Sequence, residues 1–265
     1  MTLVTTRIDG GIAHVRLARP EKLNALTLDT LTELVATARR LRRDRTLRAV
    51  VIAGDGPSFC SGLDIAGTMR QPRRIAAAFV PAPWRGTNLF QEACWAWRRV
   101  PVPVIAAVHG HCYGGGLQIA LAADFRFATA GSKWSVLEGK WGIIPDMTGV
   151  RSLIEVVGLD VAKRLTMTAE QIDGAEAARL GLVSELHDDP VEAATAFAQR
   201  LATRSPDAVA AAKRLFDGAV TSSARRTFGR ERREQLRLLL LRRNTKILQK
   251  AAMTKAVPEF RPRGS

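Results

Sequence analysis

The stretch VIAAVHGHCYGGGLQIALAAD, residues 104–124, carries the reading of the fold. Val104–Val108 is a continuous aliphatic run, the pattern of a strand covered on both faces. Gly114-Gly115-Gly116 interrupts it, and Leu117-Gln118-Ile119-Ala120-Leu121 continues as a helix. Three glycines at a strand-to-helix turn permit positive φ and let a ligand approach bare N–H groups. They equally serve tight packing where strand meets helix. A second turn of the same build lies upstream: Arg48–Ala53 reads as a buried strand and runs into Gly54-Asp55-Gly56-Pro57-Ser58-Phe59-Cys60-Ser61-Gly62-Leu63-Asp64. No Lys-Ser/Thr follows either turn, so neither is a P-loop, and neither has the G-x-G-x-x-G spacing of a dinucleotide site.

Working outward, Val4–Ile8 and Ala13–Leu17 flank Asp9-Gly10-Gly11 and predict a hairpin. Leu28, Leu31, Leu34, Val35 and Leu41 have helical spacing, with arginines gathering at the C-terminal end where they suit the helix dipole. Phe125–Ala128 reads as a further short strand. Strands alternating with helices predict an α/β core. Ala66 to Pro101, rich in Pro, Arg and Trp, reads either as a cover over a pocket or as a long surface excursion. Beyond Asp189 the pattern turns helical, with helices expected over Pro190–Thr203, Ser205–Val220 and Ser223–Leu241. The expected division is a core of residues 1–195 and a helical region of residues 196–265.

The 265 residues can bury a sizeable core, and 46% hydrophobic with 25% charged residues excludes wholesale disorder. The aliphatic run Leu238–Leu241 is far short of the ~20 residues that span a bilayer. MTLVTTRIDGG lacks an apolar signal core, so the expected location is the cytoplasm and no membrane partner is expected. Cys60, Cys94 and Cys112 are widely spaced without a CxxC pair, and His109 and His111 lack a third ligand, so no metal is expected. The net charge is +15, and residues 213–265 alone carry 15 basic against 4 acidic side chains. Such a segment suits nucleic acid, an anionic surface or a polyanionic small molecule.

Several ordered motifs together resemble the crotonase family, the enoyl-CoA hydratase/isomerase superfamily. They are Arg19-Pro20 with Asn24-Ala25-Leu26, Phe59-Cys60-Ser61-Gly62-Leu63-Asp64, Gly110 with Gly114-Gly115-Gly116, and Ala123-Asp124. Glu138 with Gly142-Ile143-Ile144-Pro145, Asp173-Gly174-Ala175-Glu176-Ala177, Gly181-Leu182-Val183 and the ending from Lys255 to Phe260 continue the likeness. It implies a spiral of ββα units followed by a C-terminal helical oligomerisation region, giving a homotrimer or dimer of trimers. It also implies an acyl-CoA thioester substrate, no separate cofactor, and an oxyanion hole of two backbone N–H groups, assigned to Ser61 and Gly115. Two such donors in a dry site stabilise a thioester enolate, and losing one typically costs on the order of 10²–10³ in rate. Lys22, Asn24, Ala25, Gly62, Asp64, Gly114, Trp141 and Lys255 are the expected substrate and CoA contacts.

The family's hydratases use two glutamates. Glu138 matches the second, but Gln118 stands at the first, and an amide cannot take or give a proton at neutral pH. Gln118 is expected in the catalytic set with Glu138 and Asp146, either as a hydrogen-bond partner of water or substrate or as a tolerated replacement. A 1,3-proton shift needs one carboxylate, so the single matched glutamate favours isomerisation of an enoyl-CoA over hydration. Asp146 stands where hydratases usually have glycine and where dienoyl-CoA isomerases, by resemblance, have aspartate. It is expected either as a second acid/base or as the cap of a helix starting at Met147. Cys60 and Cys112 read as packing residues. Two other readings compete: a nucleic-acid-binding relative that uses the basic C-terminal region, which is the less favoured partner, and a non-catalytic CoA-thioester binder.

Overall fold

The computed structural model describes residues 2–265. Nine strands alternate with helices: β1 (Val4–Asp9), β2 (Ile12–Leu17), β3 (Ala49–Gly54), β4 (Val104–Val108), β5 (His111–Tyr113), β6 (Phe125–Ala128), β7 (Lys133–Ser135), β8 (Ile172–Asp173) and β9 (Glu185–Leu186). The main sheet has the order β1-β2-β3-β4-β6-β9, and a smaller one the order β5-β7-β8. β1 and β2 form the expected hairpin, and β2, β3, β4, β6 and β9 run parallel to one another. From β4 onward the chain passes repeatedly between the two sheets. Bridges Leu26–Leu63 and Cys60–Cys112 extend the second layer upstream, so the ββα spiral is present.

β3 and β4 are buried at every residue because both faces are covered. Val50, Ile52, Val104, Ala106 and Val108 face the larger core beneath the helix Leu28–Arg43. The alternating residues Ala49, Val51, Ala53, Ile105 and Ala107 pack with Ala194 and Ala198 of the helix Pro190–Ala202. The expected boundary at 195/196 falls inside that helix. Its apolar face closes the sheet, so the helix belongs to the core.

The stretch Ala66–Pro101 is more regular than its composition suggests. It contains helices Ile65–Met69, Pro72–Phe79 and Leu89–Arg98, started respectively by the Asp64 carboxylate, by Pro72, and by an Asn88/Gln91 capping box. Buried Glu92 anchors it, accepting from Thr87, Arg99, Arg85 and Arg39 at 2.7, 2.7, 3.0 and 3.3 Å.

Past the core, helices Pro206–Ala219 and Ala224–Leu241 fall where expected. A further helix, Arg243–Thr254, follows directly at Arg242, where the backbone extends without a Gly or Pro to announce the break. Lys213 ties this region to the core, donating to Asp124 Oδ2 at 2.7 Å and to the Val102 carbonyl at 3.1 Å. The chain end folds back through Asn244, which is fully buried and donates to Asp207 Oδ2 at 2.8 Å and accepts from the Arg261 N–H at 2.8 Å. Arg263 then donates to the carbonyls of Asp44 and Leu47 at 2.9 and 3.3 Å. No helix among the described residues is long and apolar enough to cross a membrane.

Asn244→Ala leaves the buried Asp207 oxygen and the Arg261 N–H short of partners. Such losses cost about 1–3 kcal/mol, so the urea midpoint should fall while the far-ultraviolet circular dichroism at zero denaturant is retained.

Candidate functional site

The two glycine turns meet. Cys60 pairs with β5, its N–H donating to the His111 carbonyl at 2.8 Å and its carbonyl accepting from Tyr113 N–H at 3.0 Å. A Cβ at Gly116 would lie 2.6 Å from the Cys60 Cβ, so only glycine permits this approach. Gly62 (φ 96°) and Gly114 (φ 50°) take left-handed backbone at the same junction. A Cβ built on Gly62 would stand 3.8 Å from the Gly115 nitrogen, which fixes how closely the turns run.

That pairing decides which N–H groups are free. Ser61 N–H donates to the Leu23 carbonyl at 2.9 Å, and this bond removes it as the expected oxyanion donor. Leu26 N–H donates to the Gly62 carbonyl and Asp64 N–H to the Leu26 carbonyl, both at 2.8 Å. In a parallel bridge the residue between two such bonds turns its own N–H the other way. Leu63 is that residue, and its N–H has no backbone or side-chain acceptor among the described residues. Gly115 opens the helix Gly115–Leu121, where an N–H has no intrahelical acceptor. Leu63 and Gly115 line the same cavity.

The cavity measures about 630 Å3. The turn Ser61–Asp64, Gly114 and Gly115 form one wall, Leu137, Glu138, Trp141, Ile143, Asp146 and Met147 another. Met69, Ile75, Phe79 and Phe90 close it, so the Ala66–Pro101 segment is a cover. Three carboxyl groups reach it. Asp64 is spent: it accepts from Gly67 N–H and from Arg19, both at 2.9 Å, and these bonds hold its carboxyl below the usual range.

Glu138 and Asp146 differ from Asp64 in kind. Glu138 is 8% exposed, and its Oε1 accepts from Gln118 Nε2 at 2.6 Å. Gln118 Oε1 in turn accepts from Gly149 N–H at 2.9 Å. A backbone donor therefore fixes which way the amide faces, and Glu138 Oε1 must be an acceptor. Glu138 Oε2 is buried and has no hydrogen-bond partner among the described residues. Burial pushes the Glu138 carboxyl up; the bond from Gln118 opposes this, and the nearby Asp146 charge adds to it. Burial also raises Asp146, which is half-buried and makes no side-chain bond to another residue among those described. The helix that follows begins at Gly149 behind Thr148, so Asp146 does not cap a helix at Met147. Gln118 is 1% exposed and stands behind Glu138, outside the cavity lining.

Other expected contacts divide. Gly62, Asp64, Gly114 and Trp141 line the cavity, and Trp141 is its one tryptophan. Lys22, Ala25 and Lys255 do not line it. Asn24 is a structural clip: its amide donates to the Asp55 and Ser58 carbonyls at 2.9 and 2.8 Å and its oxygen accepts from Arg19 N–H at 2.9 Å. At 1% exposure it has nothing left for a ligand. His111 Nδ1 pairs with Ser58 Oγ and His109 Nε2 with the Gly56 carbonyl, both at 2.8 Å, and no cluster of metal-ligating side chains occurs among the described residues. Burial pushes the Cys60 thiol up to about 12, and it donates to the Asn24 carbonyl at 3.1 Å.

Residues 7–240 match the family model described as enoyl-CoA hydratase/isomerase. The chain is similar to (E)-benzylidenesuccinyl-CoA hydratase of Thauera aromatica, 32% identical over 79% of this chain and 80% of that protein. It is also similar to the mitochondrial Delta(3,5)-Delta(2,4)-dienoyl-CoA isomerase of Mus musculus, 34% identical over 76% of this chain and 64% of that one. Among solved structures, an enoyl-CoA hydratase from Polaromonas sp. JS666 superposes with a TM-score of 0.86 at 27% identity, covering 97% of this chain and 99% of the other.

A buried carboxyl whose folded-state pKa is raised holds more protons in the folded than in the unfolded chain. Stability therefore falls as pH rises from the ordinary glutamate value of 4.5 through the raised one. Glu138→Gln keeps an oxygen for Gln118 and removes that loss. Urea unfolding across pH should show the variant more stable than wild type at pH 8, with the difference gone below about pH 4.

Proposed function

The chain belongs to the enoyl-CoA hydratase/isomerase family, and from that premise we propose that it isomerises a double bond of an enoyl-CoA thioester. The observation that carries this reading is a buried, unpartnered carboxylate oxygen, Glu138 Oε2, in the cavity lined by the free N–H groups of Leu63 and Gly115. The thioester carbonyl accepts from those two N–H groups. They take up the negative charge as Glu138 removes a proton from C2. Glu138 then returns that proton at C4, or Asp146, starting protonated, gives its own proton to a more distant carbon. In the second case Glu138 afterwards releases its proton to solvent and Asp146 takes one up. Gln118 transfers no proton. It is a positioning residue that holds Glu138 Oε1 and leaves Oε2 to work. The cover lines the cavity with the apolar side chains Met69, Ile75, Phe79 and Phe90, which suits an acyl chain.

Hydration is the second reading, favoured by the presence of two burial-raised carboxyls in one cavity, which could hold and activate a water. Assembly as a homotrimer or dimer of trimers belongs to the same proposal. It is supported by the apolar side chains that the C-terminal helices leave exposed, Phe228, Leu236, Leu240 and Leu241 among them.

The test offers 2-enoyl-, 3-enoyl- and 3,5-dienoyl-CoA in D₂O and follows products by mass. Isomerisation conserves the atom count and incorporates deuterium; addition of water as the main outcome overturns the proposal in favour of hydration. Glu138→Gln should lower kcat by at least about 10². The wild-type rate should fall with decreasing pH through a limb above 4.5, the ordinary glutamate value, because the working base is the ionised form.

A further inference from the structure

The basic C-terminal region remains unused by the catalytic cavity, whose lining contains no Lys or Arg. Its charge converges elsewhere. The C-terminal ends of the helices Leu28–Arg43 and Leu89–Arg98 meet the pair Pro206–Ala219 and Ala224–Leu241 around a trough of about 930 Å3. Eight Lys and Arg side chains line the trough, against Asp217 and Glu234. A smaller cavity of about 280 Å3 shares Arg42, Arg214 and Arg237 with it and adds further arginines. Neither shares a residue with the catalytic cavity.

The few carboxylates here already face cations or donors: Asp217 lies 3.7 Å from Arg98. Glu234 is bonded to Arg214 at 2.9 Å, and Asp207 in the smaller cavity is held by Asn244 and Gly264 N–H at 2.8 and 2.7 Å. Arg42, Arg230 and Arg233 in the trough, and Arg43, Arg45 and Arg242 in the smaller cavity, have no carboxylate within 4.0 Å among the described residues. Arg230 is nevertheless held, donating to Ser222 Oγ at 2.9 Å and to the Gly218 carbonyl at 3.3 Å. Six guanidinium groups gathered without counter-charges repel one another, and each keeps forked donors suited to phosphate oxygens. A multiply charged anion relieves the repulsion and uses the donors together.

We propose that this trough binds a polyphosphate: three or more linked phosphoryl groups, either free or as the tail of a nucleotide. The linings separate this ligand from a nucleic acid. No aromatic side chain borders either cavity, so there is no platform on which unpaired bases could stack. The apolar side chains of the lining are Val100, Pro101, Leu215 and Leu236, and the stems of the arginines add further apolar surface beneath their charged ends. The ligand is therefore held by charge and by bidentate hydrogen bonds, and its affinity falls as salt shortens the Debye length to about 8 Å at 0.15 M.

The experiment titrates the full-length protein calorimetrically with inorganic tripolyphosphate, ATP, AMP and a single-stranded dodecanucleotide at low and moderate salt. Tripolyphosphate should bind and AMP at least about tenfold more weakly. Combined Arg42→Ser, Arg230→Ser and Arg233→Ser should weaken tripolyphosphate by at least about tenfold, equivalent to 1.4 kcal/mol. Circular dichroism and enoyl-CoA turnover should be unchanged, since none of the three residues lines the catalytic cavity. Equal affinity for tripolyphosphate and ATP supports a free polyphosphate, and tighter ATP binding supports a nucleotide tail. The proposal is overturned by absent binding at low salt, by an unaffected triple variant, or by an oligonucleotide that binds more tightly than tripolyphosphate. It is equally overturned if the triple variant changes oligomeric mass while phosphate binding stays the same, since that assigns the trough to subunit contact.

Discussion

The close backbone contact between two glycine-bearing turns is the constraint on which the rest of the structure depends. Gly116 sits against Cys60 at a separation that no other residue allows, and Gly110 likewise abuts the carbonyl of Pro57. Because neither turn interposes a side chain, the Cys60–Leu63 segment adds to the second sheet beside β5. That addition spends some N–H groups and spares others. The two spared at the cavity wall, from Leu63 and Gly115, belong to rigid backbone and need no side-chain ordering when charge develops on a bound oxygen. The buried thiol of Cys60 serves the same contact, since a small polarisable side chain fits there without a polar group to satisfy.

Around this contact the protein keeps a polar arrangement that its core does not otherwise favour. Glu138 is buried, carries an orphaned oxygen, and sits near a second carboxyl that raises its pKa further. The line Gly149 N–H, Gln118, Glu138 satisfies the other oxygen and fixes the carboxyl plane. A Cβ at Gly149 would lie 2.5 Å from Gln118 Oε1, so this line also depends on a missing side chain. The unfavourable ionisation of Glu138 is held in place by the packing around it.

The charge excess resolves into two populations. Some cations are structural: Arg99 holds Glu92 within the cover, while Lys213 on Asp124 and Arg263 on the carbonyls of Asp44 and Leu47 join the helical region and chain end to the core. Others, on the helix Ala224–Leu241 and at the end of Leu28–Arg43, face a common trough without carboxylate partners. A net charge summed over the sequence treats the two alike; their different surroundings give them different roles.

The sequence by itself determined the elements whose signals are local. Continuous aliphatic runs marked β3 and β4, Ser205-Pro206 and Asp189-Pro190 marked helix starts, and the glycine turns marked the site. It also supplied the pairing of Glu138 with Gln118 as the chemical peculiarity. Only the tertiary structure decided which atoms are available. Whether Ser61 or Leu63 presents a free N–H depends on the carbonyl of Leu23, some forty residues away in the chain. The alternation of a strand-like segment beside Leu26 was the signal for Leu63, but its phase is set by a neighbour that the local sequence does not name. Asn24 could have bound a ligand until three backbone groups were seen to consume its amide, and Gln118 could have lined the cavity until Gly149 turned it behind Glu138. Hydrogen-bonding capacity belongs to the residue and can be read from its letter; whether that capacity is already spent belongs to contacts between distant segments, and only the fold determines those.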